Sequence, residues 1–217
     1  MSIGANSHKQ PPYITNSITG RIGAGGKRIV DSIVLLLSRI HVSPNLLTFI
    51  GLLINIFAAV LFAMGLFFWA GLVVIFAGIF DIVDGEVARL TKRATKFGAF
   101  FDSVIDRYSD LLLLLGILLW YEKMNSMFYV GLTGLVLIGS VMTSYTRARA
   151  ESLIPQCKVG FLERPERIVL LIIGALLNRM AAVLRVMAIL SNWTVSQRIW
   201  YTWRETSRTD NDPGPNL

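Results

Sequence analysis

Apolar residues along this chain gather into six long blocks that short polar stretches separate. A helix needs about 20 mostly apolar residues to cross a bilayer, and most of the blocks reach that length. The blocks lie at about 45–64, 67–88, 98–120, 126–146, 163–178 and 180–202. We therefore predict an all-α integral membrane protein with six transmembrane helices.

The fifth block is the least regular of the six. Its purely apolar part, Ile168 to Leu177, is too short to cross a bilayer alone. The polar stretch from Glu163 to Arg167 must then form the deep start of this helix and face the protein interior.

A seventh helix is predicted before the first block. Between Lys27 and Ile40 the apolar residues recur at helical spacing and the charged residues are largely set apart from them. This pattern predicts an amphipathic helix on the membrane surface, although a helix that packs on a soluble partner domain would show it too. The predicted organisation is a cytoplasmic N-terminal segment at 1–43, a six-helix transmembrane domain at 44–204 and a polar tail at 205–217.

Composition supports the membrane assignment. Hydrophobic residues make up 53% of the chain and charged residues only 16%, which excludes both a typical soluble globule and a disordered chain. The chain has one cysteine, Cys157, so it forms no internal disulfide.

The net charge of +7 follows the predicted topology. Lysine and arginine number five in 1–43, four in 89–96 and five in 147–167, against one in 121–125. By the positive-inside rule, both termini face the cytoplasm, as expected for a multi-pass protein of the cell (inner) membrane. Because topology accounts for the basic residues, we predict no nucleic-acid partner.

Acidic residues concentrate where the second and third helices meet the cytoplasm. Six of the fourteen carboxylates lie between 81 and 110: Asp81, Asp84, Glu86, Asp102, Asp106 and Asp110. A carboxylate at the bilayer centre costs about 2.5–3.5 kcal/mol, so a cation is expected among them. The i,i+3 and i,i+4 spacings place Asp81 with Asp84, and Asp102 with Asp106, on shared helix faces. Four converging carboxylates favour Mg²⁺, Mn²⁺ or Ca²⁺.

The same residues form a recognisable pattern. Asp81 precedes Asp84-Gly85, Ala88-Arg89, Gly98, Asp102 and Asp106 at fixed spacing. The pattern resembles the signature of the CDP-alcohol phosphotransferase family, membrane enzymes of phospholipid biosynthesis, and the resemblance extends over about 43–204.

The resemblance implies a reaction and its residues. A CDP-activated lipid, CDP-diacylglycerol, would give its phosphatidyl group to an alcohol and release CMP, with two Mg²⁺ ions as cofactor and Mn²⁺ as the alternative metal. Asp81, Asp84, Asp102 and Asp106 would hold the metal, and Asp106 would also be the catalytic base. The residues implied for CDP-lipid binding are Asn45, Leu46, Leu47, Thr48, Gly85, Ala88, Arg89, Thr95 and Gly98. Glu86 and Asp110 lie outside the signature, so a surface or a supporting role is expected for each. A homodimer embedded among membrane lipids is also implied.

Three basic residues indicate the acceptor. The segments around them resemble the phosphatidylinositol phosphate synthase branch of the family, in which three basic residues bind the phosphate of inositol 1-phosphate. The matching positions are Arg147, Arg167 and Arg198, and the branch commonly has lysine at the first. Arg198 lies in an apolar and aromatic stretch, so it either faces a polar cavity or reaches back to the interface.

Two further functions remain open on the residues alone. Glycerol 3-phosphate is the alternative acceptor, which would make the chain a phosphatidylglycerophosphate synthase. A cation or proton transporter would also carry intramembrane carboxylates, but its polar groups should extend across the full membrane depth. A purely structural membrane protein would leave the carboxylates unexplained.

Overall fold

Six α-helices form the part of the chain that the structure, a computed structural model, describes. That part covers residues 44–90 and 95–211, with the side chains of 45–81 and 95–208. The helices are α1 (Pro44–Ala63), α2 (Phe67–Leu90), α3 (Lys96–Lys123), α4 (Met127–Ala150), α5 (Arg164–Leu176) and α6 (Met180–Asn211). The all-α prediction is confirmed. The predicted surface helix at 27–40 lies outside the described residues.

Each predicted apolar block corresponds to one helix, but two helices differ in length from the rest. The α5 helix has 13 residues and is therefore about 20 Å long, less than the roughly 30 Å of a hydrocarbon core. The α6 helix has 32 residues and continues through Asn211, beyond the domain boundary expected at residue 204.

Tight turns make successive helices antiparallel. Three residues join α1 to α2, α3 to α4 and α5 to α6. Each of these turns contains a residue with positive φ, namely Gly65, Asn125 or Asn178, the left-handed conformation that commonly ends a helix. The starts of α1, α3 and α5 share one end of the bundle, where Asn45 lies beside Gly98 and Arg164 lies beside Asp106, and we call it the site end.

Close packing of α1 against α3 fixes the register of the site. A Cβ atom added to Gly116 would lie 2.2 Å from the carbonyl oxygen of Ala59, so only glycine permits this contact between the two backbones. Phe62, Leu113 and Ile117 are fully buried beside it. Helix α4 packs on α3 and α6, and α5 packs on α2 and α6.

The outer faces of the bundle are apolar. Phe57, Trp69 and Ile189 are 56%, 60% and 69% exposed, and so large an apolar surface marks a lipid or protein contact. Within the described residues, two helical stretches, Asn45–Ala63 and Met127–Ala150, are long and apolar enough to cross a membrane. These stretches and the apolar outer faces together indicate a membrane protein.

Candidate active site

Three carboxylates meet at the site end. Asp81 comes from α2, and Asp102 and Asp106 lie one turn apart on α3. Each offers an oxygen atom, and these atoms all lie within 4.8 Å of one another. Hard oxygen ligands at this spacing fit a divalent ion such as Mg²⁺ or Mn²⁺. The side chain of the fourth predicted ligand, Asp84, lies outside the described residues.

A guanidinium group lies among these carboxylates. Arg164, the first residue of α5, donates from Nη1 to Asp81 Oδ2 at 3.0 Å. Its Nη2 atom is 2.9 Å from Asp106 Oδ1, and its Nε atom is 3.6 Å from Asp110 Oδ1. Arg164 therefore supplies the cation expected among the carboxylates, although the sequence did not single it out as a site residue.

Asp110 forms the most buried ion pair of the site. Its side chain is 7% exposed, that of Arg167 is 4% exposed, and Arg167 Nη2 donates to Asp110 Oδ2 at 2.6 Å. Of the two roles expected for Asp110, a surface role does not fit, because the carboxylate is buried against α5, whereas a supporting role does. Its partner in that role is Arg167.

We predict that Asp110→Asn lowers the free energy of unfolding by about 3–5 kcal/mol, because it leaves the buried charge of Arg167 without its partner. Thermal denaturation of the purified protein in detergent measures the change. Glu205→Gln is the control, since Glu205 pairs with Arg208 at 3.8 Å on the exposed end of α6, and a loss below about 1 kcal/mol is expected there. Equal losses in both variants would contradict the prediction.

The three predicted acceptor arginines line one cavity. This arginine cavity has a volume of about 420 Å³, and Arg147, Arg167 and Arg198 are all in its wall together with Asp106. The arginines come from α4, α5 and α6, so packing alone brings them together.

The buried guanidinium group of Arg198 donates hydrogen bonds to three acceptors. It is 1% exposed, and it donates to the carbonyl oxygens of Val159 and Thr143 and to Glu163 Oε1. The alternative in which Arg198 reaches back to the membrane interface is therefore wrong.

The loop before α5 fits closely over α6. Gly160 has φ +115°, and a Cβ atom added there would lie 2.4 Å from Thr194 Cγ2. The backbone N–H of Leu162 donates to Thr194 Oγ1 at 3.2 Å. These contacts place Glu163 beside Arg198, and Glu163 Oε1 also accepts from Arg147 Nη1 at 2.8 Å.

A second cavity adjoins the first. It has a volume of about 290 Å³ and is lined by Thr48 and Asn55 of α1, Asp81 of α2 and Ile168 of α5. Asp106, Arg164 and Pro165 line both cavities. Asp106 therefore stands in the wall between the arginine cavity and the second cavity.

Some of the residues predicted to bind the CDP-lipid also lie close together at the site end. Thr95 caps α3 and accepts a hydrogen bond from Gly98 N at 2.9 Å. A Cβ atom added to Gly98 would lie 3.3 Å from Asn45 Oδ1. Leu47 and Thr48 are buried, whereas Leu46 is half exposed.

The rest of that set lies at the end of α2. Gly85, Ala88 and Arg89 belong to its last turns, and their side chains, like that of Glu86, lie outside the described residues. Their roles stay predictions.

Sequence reasoning missed Glu163, Arg164 and the buried position of Asp110. One signal was available for Asp110, since it lies four residues after Asp106 and eight after Asp102 on the same face of α3. For Glu163 and Arg164 the signal was the charged start of a short apolar helix.

Comparisons with known proteins identify relatives along most of the chain. The profile of the CDP-alcohol phosphatidyltransferase family matches residues 41–200. An archaetidylinositol phosphate synthase of Methanothermobacter thermautotrophicus is 35% identical over 201 residues, covering 89% of this chain and 98% of the relative. A phosphatidylinositol phosphate synthase of Mycobacterium marinum is 32% identical over 194 residues, covering 84% of this chain and 83% of the relative.

Solved structures show the same fold. The crystal structure of the Mycobacterium tuberculosis phosphatidylinositol phosphate synthase with CDP-DAG bound superposes with a TM-score of 0.76 at 33% identity, covering 81% of this chain and 94% of that one. A complex of the same enzyme with manganese and citrate gives a TM-score of 0.76 at 32% identity, covering 80% and 88% of the two chains. The resemblance seen in the signature is confirmed, and this chain belongs to the CDP-alcohol phosphatidyltransferase family of enzymes.

Proposed function

We propose that this enzyme transfers the phosphatidyl group of CDP-diacylglycerol to inositol 1-phosphate and releases CMP. The observation that carries the proposal is the position of Asp106. Its carboxylate belongs to the three-carboxylate cluster and also lines the arginine cavity. A donor held at the cluster and a phosphorylated alcohol held by the arginines would therefore meet at this residue.

On the donor side, Asp81, Asp84, Asp102 and Asp106 would hold two divalent ions, with Mg²⁺ as the expected metal. When bound, such ions neutralise the charge of a diphosphate and of its leaving phosphate. Asn45, Thr95 and Gly98 would contact the CDP group, since they lie together beside the start of α3. The manganese complex of the Mycobacterium tuberculosis relative supports a divalent cofactor.

On the acceptor side, the arginines would bind the phosphate and leave the alcohol facing Asp106. Guanidinium groups bind phosphate through charge-assisted hydrogen bonds. Asp106 would accept the hydroxyl proton as the alcohol oxygen attacks the lipid-bearing phosphorus. The new P–O bond would form as the bond to CMP breaks.

The relatives' names favour inositol phosphate over glycerol 3-phosphate. Archaetidylinositol phosphate synthase and phosphatidylinositol phosphate synthase differ in the lipid part of the name and share the inositol phosphate part. The arginine cavity supports a phosphorylated acceptor of either kind. The transporter alternative gains no support, because the described carboxylates of the site gather at one end of the bundle.

We further propose that all six helices are embedded in the membrane with the site end and both termini in the cytoplasm. The excess of lysine and arginine on the connections at that end supports this orientation. The short α5 would lie within the bundle, with its charged start in the arginine cavity. A homodimer is proposed from the family resemblance.

The acceptor is tested directly by CMP release. Purified protein with Mg²⁺ and CDP-diacylglycerol is incubated separately with inositol 1-phosphate, glycerol 3-phosphate, inositol and serine. We expect CMP release with inositol 1-phosphate and none with unphosphorylated inositol. Release with glycerol 3-phosphate alone would replace the proposed acceptor, and release with inositol alone would contradict the role of the arginines.

We predict that Arg147→Ala raises the KM for the phosphorylated acceptor about ten- to a hundredfold, because one charged contact is worth about 1.5–3 kcal/mol. The affinity for the CDP-lipid should stay unchanged. Arg149→Ala is the matched control, since Arg149 lies on the same helix and bonds to Ser152 instead. If both variants lose only expression or stability, the arginine anchors a helix end and does not bind the acceptor.

A further inference from the structure

Two oppositely charged residues lie at the start of α5. Glu163 lies in the arginine cavity, which is one half of the site, and Arg164 lies among the carboxylates, which form the other half. Glu163 is the N-cap residue of α5 and Arg164 is its first helical residue. We infer that each of them competes with a ligand: Arg164 with the divalent cation for the carboxylates, and Glu163 with the acceptor phosphate for the arginines. The inference rests on the proposed function, because it assumes which ligands the two halves bind.

Arg164 makes the contacts that a cation would make. Its two terminal nitrogen atoms lie 3.0 Å from Asp81 Oδ2 and 2.9 Å from Asp106 Oδ1. Both carboxylates belong to the cluster whose oxygen atoms lie within 4.8 Å of one another. A divalent ion that takes these oxygen atoms as ligands has to displace the guanidinium from them.

Glu163 makes the contacts that a phosphate oxygen would make. Its Oε1 atom accepts from Arg147 Nη1 at 2.8 Å and from Arg198 Nη2 at 2.9 Å. One anionic oxygen between two guanidinium groups is the arrangement in which arginines bind phosphate. The acceptor phosphate therefore has to replace the carboxylate at one or both arginines.

The local structure of α5 supports this role for Glu163. Residues at its position usually accept a hydrogen bond from the backbone of the first turn, but Glu163 makes no such side-chain cap. Its carboxylate bonds to the arginines of α4 and α6 instead. Pro165 follows in the first turn, a place where its fixed φ suits the start of a helix.

Electrostatics explains why such competitors would be present. Arg198 is 1% exposed and Asp106 has a 19% exposed side chain, so both charges need partners inside the protein. Glu163 and Arg164 provide these partners and add no net charge. Ligand binding then exchanges one set of ion pairs for another, which lowers ligand affinity while the site keeps its charges compensated.

The test measures binding and does not depend on turnover. Full-length protein in nanodiscs of neutral lipid is titrated with Mn²⁺ by electron paramagnetic resonance and, separately, with inorganic phosphate by calorimetry. We expect Arg164→Gln to bind Mn²⁺ at least about tenfold more tightly than the wild type, because about 1.4 kcal/mol of lost competition corresponds to tenfold in Kd. Glu163→Gln should bind phosphate more tightly by a similar factor.

Two controls remove one charge each without breaking these contacts. Arg107 lines the arginine cavity and donates to the carbonyl oxygen of Ser103, so Arg107→Gln reports only the long-range effect of a lost positive charge on Mn²⁺ binding. Glu166 is exposed in the first turn of α5, so Glu166→Gln does the same for phosphate. Changes below about threefold are expected in both, as for exposed charges screened by water.

Conservative variants keep the inference testable if the glutamine variants fail to fold. Arg164→Lys retains the charge but cannot bridge two carboxylates with a planar fork, and Glu163→Asp is too short to reach both arginines. Each should still bind its ligand more tightly than the wild type does, by less than the tenfold expected when the competing contact is lost entirely. Unchanged or weaker binding in the variants would overturn the inference. Failure of the wild type to bind Mn²⁺ would instead overturn the proposed function.

Discussion

Replacing Asp106 by asparagine is expected to reduce kcat for CMP release by about 10²–10⁴-fold, the range that a positioned general base contributes. The amide has the shape of the carboxylate but cannot take the acceptor's proton at neutral pH. Binding of the CDP-lipid should persist, because Asp81 and Asp102 remain in the cluster. Initial rates with saturating substrates measure the loss, and binding of CDP-diacylglycerol is measured separately.

The control for this variant lies on the same helix. Glu122 is near the opposite end of α3, so Glu122→Gln makes the same chemical change far from the cavities and should leave kcat unchanged. A near-normal kcat in Asp106→Asn would remove this residue from the role of base. Complete loss of CDP-lipid binding would assign it chiefly to holding the metal.

Chelation of divalent ions and the Asp102→Asn substitution are each expected to abolish turnover. A divalent ion bound by oxygen atoms depends on the charge of its carboxylate ligands, and it supplies most of the charge neutralisation at a diphosphate. Arg164 pairs with Asp81, Asp106 and Asp110, so changing Asp102 disturbs these ion pairs least. The loss of activity can therefore be read as a loss of metal binding.

The experiment compares CMP release before and after treatment with EDTA, and again after Mg²⁺ or Mn²⁺ is restored. Wild-type activity should disappear and return, whereas Asp102→Asn should remain inactive while it still folds and inserts into membranes. Circular dichroism of the purified variant checks the fold. CMP release by pure wild-type protein that persists in EDTA would refute the metal mechanism.

The sequence by itself determined the helices, because most of the apolar blocks have about the 20 residues that a helix needs to cross a bilayer. All six blocks became helices, and the three tight turns occur at Gly65, Asn125 and Asn178, residue types that tolerate positive φ. The sequence also determined that Asp102 and Asp106 share a face of α3, because residues four apart on a helix are neighbours. The signature from Asp81 to Asp106 identified the family.

Only the tertiary structure decided which charges meet. Arg164 pairs with Asp81 across 83 residues, and Arg167 pairs with Asp110 across 57, and no local periodicity encodes partners at such separations. These pairs depend on the short α5 packing between α2 and α6, which carries its charged start into the bundle. The same packing places Asp106 in the wall of both cavities. The sequence predicts which face of α3 carries Asp106, but only the packing of the other helices determines which residues that face contacts.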